Sequence, residues 1–184
     1  AELGRRGLCF DAWMFHPQLR AFEAVVAAHP ETAVVIDHLG SPIGYGGPFA
    51  GFGHSAQDRA SIAARWRDDL AALAAHAHVH AKISGLTMPI LGWGFHERER
   101  PPSQTELVDC LGPLVETALE LFGPARCMFA SNFPMDKVSA PWGGLYEAFD
   151  ELTRGLTADE RDGLFAANAA RFYGLESGLE VDAG

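Results

Sequence analysis

The chain has 184 residues, 48% of them hydrophobic, and a formal net charge of −10, a length that suits one well-buried domain better than two. The acidic balance excludes a broad basic face for nucleic acid, which needs clustered Lys and Arg to neutralise phosphates. No run of ~18 apolar residues is present to make a membrane-spanning helix, so no membrane partner is expected. Three cysteines, Cys9, Cys110 and Cys127, sit in apolar segments without metal-ligand spacing, an odd count that fits a reducing cytoplasm better than a disulfide framework.

The chain opens on Ala1-Glu2-Leu3-Gly4-Arg5-Arg6, without Met and without the apolar core of a signal peptide. Because a buried-looking strand follows within a few residues, the chain is expected to begin inside a larger fold. Leu8-Cys9-Phe10 is the first predicted strand, with Asp11-Ala12-Trp13 at its C-terminal end. A helix is predicted from about Pro17 to His29, where Leu19, Phe22, Val25 and Val26 make one apolar stripe. His16 stands just before it and has two open readings, a helix cap or a side chain facing a rim pocket.

Val34-Val35-Ile36-Asp37-His38-Leu39-Gly40 is the organising stretch. A β-branched run that stops at Asp-His and turns at Gly reads as a buried strand delivering two polar side chains at its C-terminal end. Parallel α/β folds place their chemistry at that end. The glycine-rich segment from Ser41 to Gly53 has no phosphate-loop pattern and is long enough to be a site wall. Ser55 and Asp58 start a helix burying Ile62, Trp66, Leu70 and Leu73, and His76-Ala77-His78-Val79-His80 follows. Those histidines precede a strand, Val79 to Leu86, so they fall at the end opposite the functional rim and read as a turn, not a metal site.

Thr87 to Pro102 carries Trp93, Phe95, His96, Glu97 and Arg98 and reads equally as a lid or pocket wall, or as a segment whose Trp93 and Phe95 merely cover the rim. Ser103 with Glu106 and Thr157 with Glu160 are capping-box patterns, each opening a helix. Between those helices lie the last strand, Cys127 to Ala130, its end Ser131-Asn132-Phe133-Pro134, nearby Asp136, and a helix over about Trp142 to Thr153. The final helix is predicted to bury Leu164, Phe165, Asn168 and Phe172, and residues 176–184 are expected to fray. The whole is one α/β domain, residues 1–184.

With these residues laid out, the chain resembles the C-terminal part of the amidohydrolase-related family, the lactonase-like branch of the amidohydrolase superfamily. The likeness rests on Asp37-His38-Leu39-Gly40, Lys82-Ile83-Ser84-Gly85-Leu86, Arg126 to Pro134, and Asn168-Ala169-Ala170-Arg171-Phe172-Tyr173-Gly174-Leu175, in that order. The resemblance implies a (β/α)₈ TIM barrel, of which roughly the C-terminal half is visible, without the His-x-His or Glu-x-His strand that opens the family fold. A half-barrel has two open sheet edges that need a partner's cover, which leaves room for a homo-oligomer.

The family's middle-strand histidine falls on His38, which by resemblance binds a divalent metal such as zinc or manganese, or polarises a substrate carbonyl where no metal is used. Asn132 stands where most members have the aspartate that deprotonates water, and an amide has no proton acceptor for that role. Asp136 is the nearest carboxylate that would substitute. Trp13, His16, Lys82 and His96 are expected to line the pocket, with Lys82 or Arg98 pairing a substrate carboxylate. The implied activity is hydrolysis of a lactone or similar ester or amide bond in a small polar substrate. The alternatives are a non-oxidative decarboxylase on the same fold, or a truncated, non-catalytic half-barrel.

Overall fold

A computed structural model describes residues 1–175; the expected frayed tail lies outside them. Four short strands form one parallel sheet in the order of the sequence, β1 (Phe10–Ala12), β2 (Val34–Ile36), β3 (Val79–Ile83) and β4 (Cys127–Phe129). After a short helix α1 (Glu2–Arg5), each strand is followed by a helix: α2 (Leu19–Ala27), α3 (Ala56–Ala74), α4 (Gln104–Phe122) and α5 (Trp142–Leu152). Successive helices pack on one another, α2 on α3, α3 on α4 and α4 on α5. Strand order without reversal, with α2 to α5 on a single face, is the winding of a (β/α) barrel, not of a doubly wound sheet.

Strand alternation sorts the side chains. Ala12, Ile36, Ala81, Ile83, Cys127 and Phe129 enter one core with Leu70 and Leu73 of α3, Leu111 and Leu114 of α4, and Phe149 of α5. The intervening residues Asp11, Val35, His80, Lys82 and Met128 face the other way. The chain's last helix, α7 (Asn168–Tyr173), reaches that second face: Phe172 packs on His80 with ring centroids 4.9 Å apart, and the Tyr173 hydroxyl donates to Asp11 at 2.8 Å. Among the described residues β1 and β4 each pair on one side only.

The expected helix starts hold. Ser55 and Asp58, Ser103 and Glu106, and Thr157 and Glu160 each exchange side-chain-to-backbone hydrogen bonds, satisfying amide donors that the first helical turn leaves unpaired. The final helix differs from expectation. It is broken into α6 (Ala158–Asp162), a π turn (Gly163–Ala167) and α7. The wider turn carries Asn168 inward, where its amide donates to the carbonyls of Pro124 at 2.7 Å and Cys127 at 2.6 Å, fastening the chain's end to the start of β4. Arg126 clamps the same end of the sheet, donating to the carbonyls of Ala74, His76 and Val79.

The loop from Ser41 to Gly53 zips onto the loop after β3: Gly44 and Gly46 donate to the carbonyls of Ile90 and Leu91. A side chain at Gly46 would drive its Cβ to 2.1 Å from the Trp93 ring, so that glycine is needed for close approach. Trp93 in turn donates to the Leu86 carbonyl at 2.9 Å and stacks on Phe95, which is buried. Trp93 and Phe95 are thus packed on the core, a placement neither of their two readings named.

Trp66 of α3 is fully buried and donates to the Leu39 carbonyl at 2.7 Å, joining the outer helix to the turn after β2. Trp66→Phe keeps an aromatic ring but leaves that carbonyl unpaired, so unfolding stability should fall by about 1–3 kcal/mol. The midpoint of urea denaturation, at unchanged m-value, measures it.

Candidate active site

Polar residues at the ends of β2, β3 and β4 meet at one rim. The organising strand is shorter than the sequence predicts. It stops at Ile36, and His38 (φ 55°), Leu39 (φ 49°) and Gly40 (φ 68°) turn the chain in the left-handed region. For non-glycine residues that conformation costs about 1–3 kcal/mol each. Packing offsets it: Leu39 is fully buried and its carbonyl takes the Trp66 bond, while the His38 ring settles against the end of β3.

There the His38 Nδ1 lies 2.7 Å from Ser84 Oγ. Gly85 (φ 64°) makes the seat possible. A Cβ at that position would sit 2.7 Å from His38 Cγ and 2.8 Å from Nδ1, inside the imidazole. Burial holds the His38 pKa below that of free histidine; Asp37 pulls it up, Lys82 pushes it down and the Ser84 backbone pulls it up, with burial prevailing. The ring is therefore neutral at physiological pH.

Asn132, at the end of β4, also takes the left-handed conformation (φ 55°) and donates from Nδ2 to Asp136 Oδ1 at 3.1 Å. Asp136 is 0% exposed. Its backbone carbonyl accepts from Ser139 and Ala140, and its Oδ2 makes no hydrogen bond among the described residues. Burial pushes its pKa up to about 6, against the opposing contacts with Asn132 and Thr87. The nearest carboxylate to Asn132 thus lies beneath the rim with no surface to offer a substrate, and what it touches is Asn132.

The other expected pocket residues scatter. Trp13 is 59% exposed and donates to Ser41 Oγ at 3.2 Å, beside the turn that carries His38. His16 is buried and accepts the Ile43 backbone N–H at its Nδ1, 3.1 Å away, so it fastens the loop that follows β2. Burial, with Arg65 adding to it, pushes its pKa down to about 4. Lys82 lies on the face opposite the helices, paired with Asp11 at 2.6 Å and Asp37 at 2.8 Å. Burial alone would lower its pKa, but the bonds to Asp11, Asp37 and Tyr173 outweigh it and hold the pKa above the usual value. Arg98 pairs with Glu106 at 2.6 Å, over the Phe95 ring, and His96 stands at the surface near Glu97. Neither cation expected to bind a substrate carboxylate is free of a carboxylate of the chain itself.

Ser84 and Gly85 are the rim residues whose roles a one-dimensional reading does not reveal, although both stand in the Lys82 to Leu86 motif. Their partner is 46 positions away. Among the described residues no three His, Cys, Asp or Glu side chains are placed to hold a metal ion. His76, at the opposite end of β3, bonds instead to Glu23 at 2.9 Å. His38 is a single donor with one ring nitrogen already taken, so the rim as described does not fit a metal.

A parallel sheet wound in one direction, with its polar residues gathered at the carboxyl ends of the strands, defines a barrel-type α/β protein with an enzyme-like rim. The chain belongs to the amidohydrolase family, whose profile matches residues 1–175. It is 33% identical to an L-fucono-1,5-lactonase of Burkholderia multivorans, over 90% of this chain and 51% of that protein. It is 32% identical to an uncharacterized protein of Sinorhizobium fredii, over 94% of this chain and 49% of the other. Crystal structures of a B. multivorans amidohydrolase, one with bound HEPES and one with bound zinc, superpose with TM-scores of 0.76 and 0.75 at 29% and 28% identity, covering 94% of this chain and 55% of that one. The chain spans about half the length of the curated relatives it matches.

Asp136 gives a pH signature. Its carboxyl ionises at about 6 in the fold against 3.8 for the ordinary group, so between those values the folded state holds a proton that the unfolded chain has released. Its contribution to stability is complete below about pH 4 and is lost as the pH rises through about 6, on the order of 3 kcal/mol. Asp136→Asn should remove that component: a urea-denaturation series from about pH 4 to 7 should show wild type losing about 2–3 kcal/mol relative to the variant. Parallel curves would mean that the carboxyl is ionised in the fold.

Proposed function

We propose that this rim is part of a hydrolase site that opens a lactone, or a similar ester or amide bond, in a small polar substrate. The observation that carries the reading is the imidazole of His38, braced by Ser84 at the carboxyl end of the parallel sheet, the same end at which Asn132 follows β4. Family membership and the lactonase name borne by a relative support the same class of reaction.

Addition of water to a lactone carbonyl places negative charge on its oxygen, and a preorganised N–H at that position lowers the barrier. His38 supplies the donor without a charge to desolvate. Asn132 has given its N–H to Asp136 and keeps Oδ1, which accepts no bond among the described residues, to orient a water or a substrate hydroxyl. An amide orients but does not deprotonate, and Asp136 is sealed below, so neither residue is assigned the role of base. Trp13 offers an exposed ring beside the turn for the apolar face of a small ring substrate. The divalent metal, zinc or manganese, that the family resemblance implies would act as a Lewis acid on the same carbonyl. The described residues offer one histidine toward it, and no step is placed on it.

Purified protein should hydrolyse members of a panel of sugar lactones that includes L-fucono-1,5-lactone. His38→Ala should lower kcat/KM by roughly 10²–10³-fold, the effect of losing one oxyanion donor. Asn132→Ala should lower it by roughly tenfold, the loss of about one hydrogen bond, and both variants should stay folded but melt a few degrees lower, because each unpairs a buried group. Absence of hydrolysis across the panel, or full activity in His38→Ala, would sink the reading.

A further inference from the structure

We infer that Ser84 is a positioning residue that donates its hydroxyl hydrogen to His38 Nδ1, fixing the imidazole in its Nε2–H form. In that form His38 is a hydrogen-bond donor at the rim and not a metal ligand.

Ser84 is 1% exposed and, among the described residues, its Oγ makes one side-chain hydrogen bond, to His38 Nδ1 at 2.7 Å. A hydroxyl has one hydrogen to give. With no second acceptor bonded to it and no water-exposed surface, the hydrogen either points at Nδ1 or is buried unpaired, and buried donors are almost always paired. A hydrogen on Nδ1 would therefore displace the only partner that the serine hydrogen has.

The neighbouring carboxylate does not offer the opposite arrangement. A histidine that binds metal through Nε2 gives its Nδ1–H to a carboxylate or carbonyl, which makes the ring a better ligand. Asp37, next in sequence, is claimed by Lys82 at 2.8 Å. The competing acceptor is the Ser84 backbone carbonyl, which also lies toward the ring, and the experiment below separates it from the hydroxyl.

The ring has little freedom to choose. Its backbone is held in the left-handed turn whose next residue, Leu39, is buried and bonded to Trp66. The bare Cα of Gly85 lies directly against Cγ and Nδ1, with Met88 Cε on the same side. The ends of β2 and β3 are in register through Ile36 and Ala81, so seat and ring are parts of one sheet. Nε2 is the remaining ring nitrogen, and in this form it carries the hydrogen that an oxyanion would accept. That catalytic consequence rests on the proposed reaction; the tautomer itself is measured without substrate.

The test is a long-range proton–nitrogen correlation spectrum of the full chain labelled with ¹⁵N-histidine at neutral pH, with His38 assigned by the signals lost in His38→Gln. The expected spectrum shows Nε2 as the protonated nitrogen and Nδ1 as the bare one, unchanged on addition of equimolar zinc. Ser84→Ala should draw the two shifts toward each other as the tautomers mix, and Gly85→Ala should do the same by unseating the ring. A protonated Nδ1 in wild type, or His38 signals that move with stoichiometric zinc, would overturn the inference. Should either variant fail to fold, the wild-type spectrum alone decides. On an active lactone, Ser84→Ala should lower kcat several-fold more than it changes KM. Inactivity on every lactone would remove the reaction and leave the tautomer measurement standing.

Discussion

The turn after β2 is the constraint on which the rim depends. Extended backbone would send Asp37 and His38 to opposite faces of the sheet and carry the chain straight on past the rim. Four left-handed residues in succession, His38 to Ser41, instead fold it back over the end of β3, and His38 comes to rest on Ser84. Such a conformation persists only where the surroundings over-determine it. Here the buried Leu39 side chain, the Trp66 bond from the outer helix and the bare Cα of Gly85 do so together. The helix layer thus reaches the site through one hydrogen bond, and a packing residue well outside the rim sets the angle of its imidazole.

Charge is handled by a similar division. The concave face carries Asp11, Asp37 and Lys82 close together, and their pairing leaves one net negative charge across three ionisable groups, capped by the Tyr173 hydroxyl. Lys82 stays protonated under these bonds and has no capacity left for a substrate anion. The network joins β1, β2 and β3 to α7, the last helix of the described chain. Partly buried pairs of this kind contribute modest stability, and here they also keep the field of Asp37 from reaching His38 undiminished.

How much of this is legible in the sequence follows the range of the interactions. Strands, helix starts and the single direction of winding are local or periodic, and Val34 to Ile36, the Ser103–Glu106 and Thr157–Glu160 boxes and the α3 stripe through Trp66 are found where the pattern puts them. Asp37-His38 at a strand end marks the rim correctly as a place of polar side chains. What a pattern cannot show is which partner each takes. Arg98 and Lys82 look like free cations on paper, yet Glu106 and Asp11 occupy them. Asp136 looks like a replacement base four positions from Asn132, yet the short helical turn that contains it buries the carboxyl completely. The break in the last helix is invisible for the same reason, since the Asn168 amide is pulled inward by carbonyls more than forty residues away.

The exchange between Asn132 and Asp136 has a physical logic of its own. A carboxylate exposed at the rim would raise the pKa of His38; the Asp136 carboxyl is buried instead, its pKa pushed up to about 6, and meets the site through the bond it accepts from Asn132. The rim then offers the His38 imidazole and, from Asn132, Oδ1 and the second Nδ2 hydrogen, all uncharged. Uncharged groups of this kind suit a polar, uncharged partner, because pairing them desolvates no ion, a step that would cost several kcal/mol. They gain selectivity from geometry, because an unmet buried donor or acceptor costs more than a made one returns. The strained backbone at both residues is the means by which two uncharged side chains are held to that geometry.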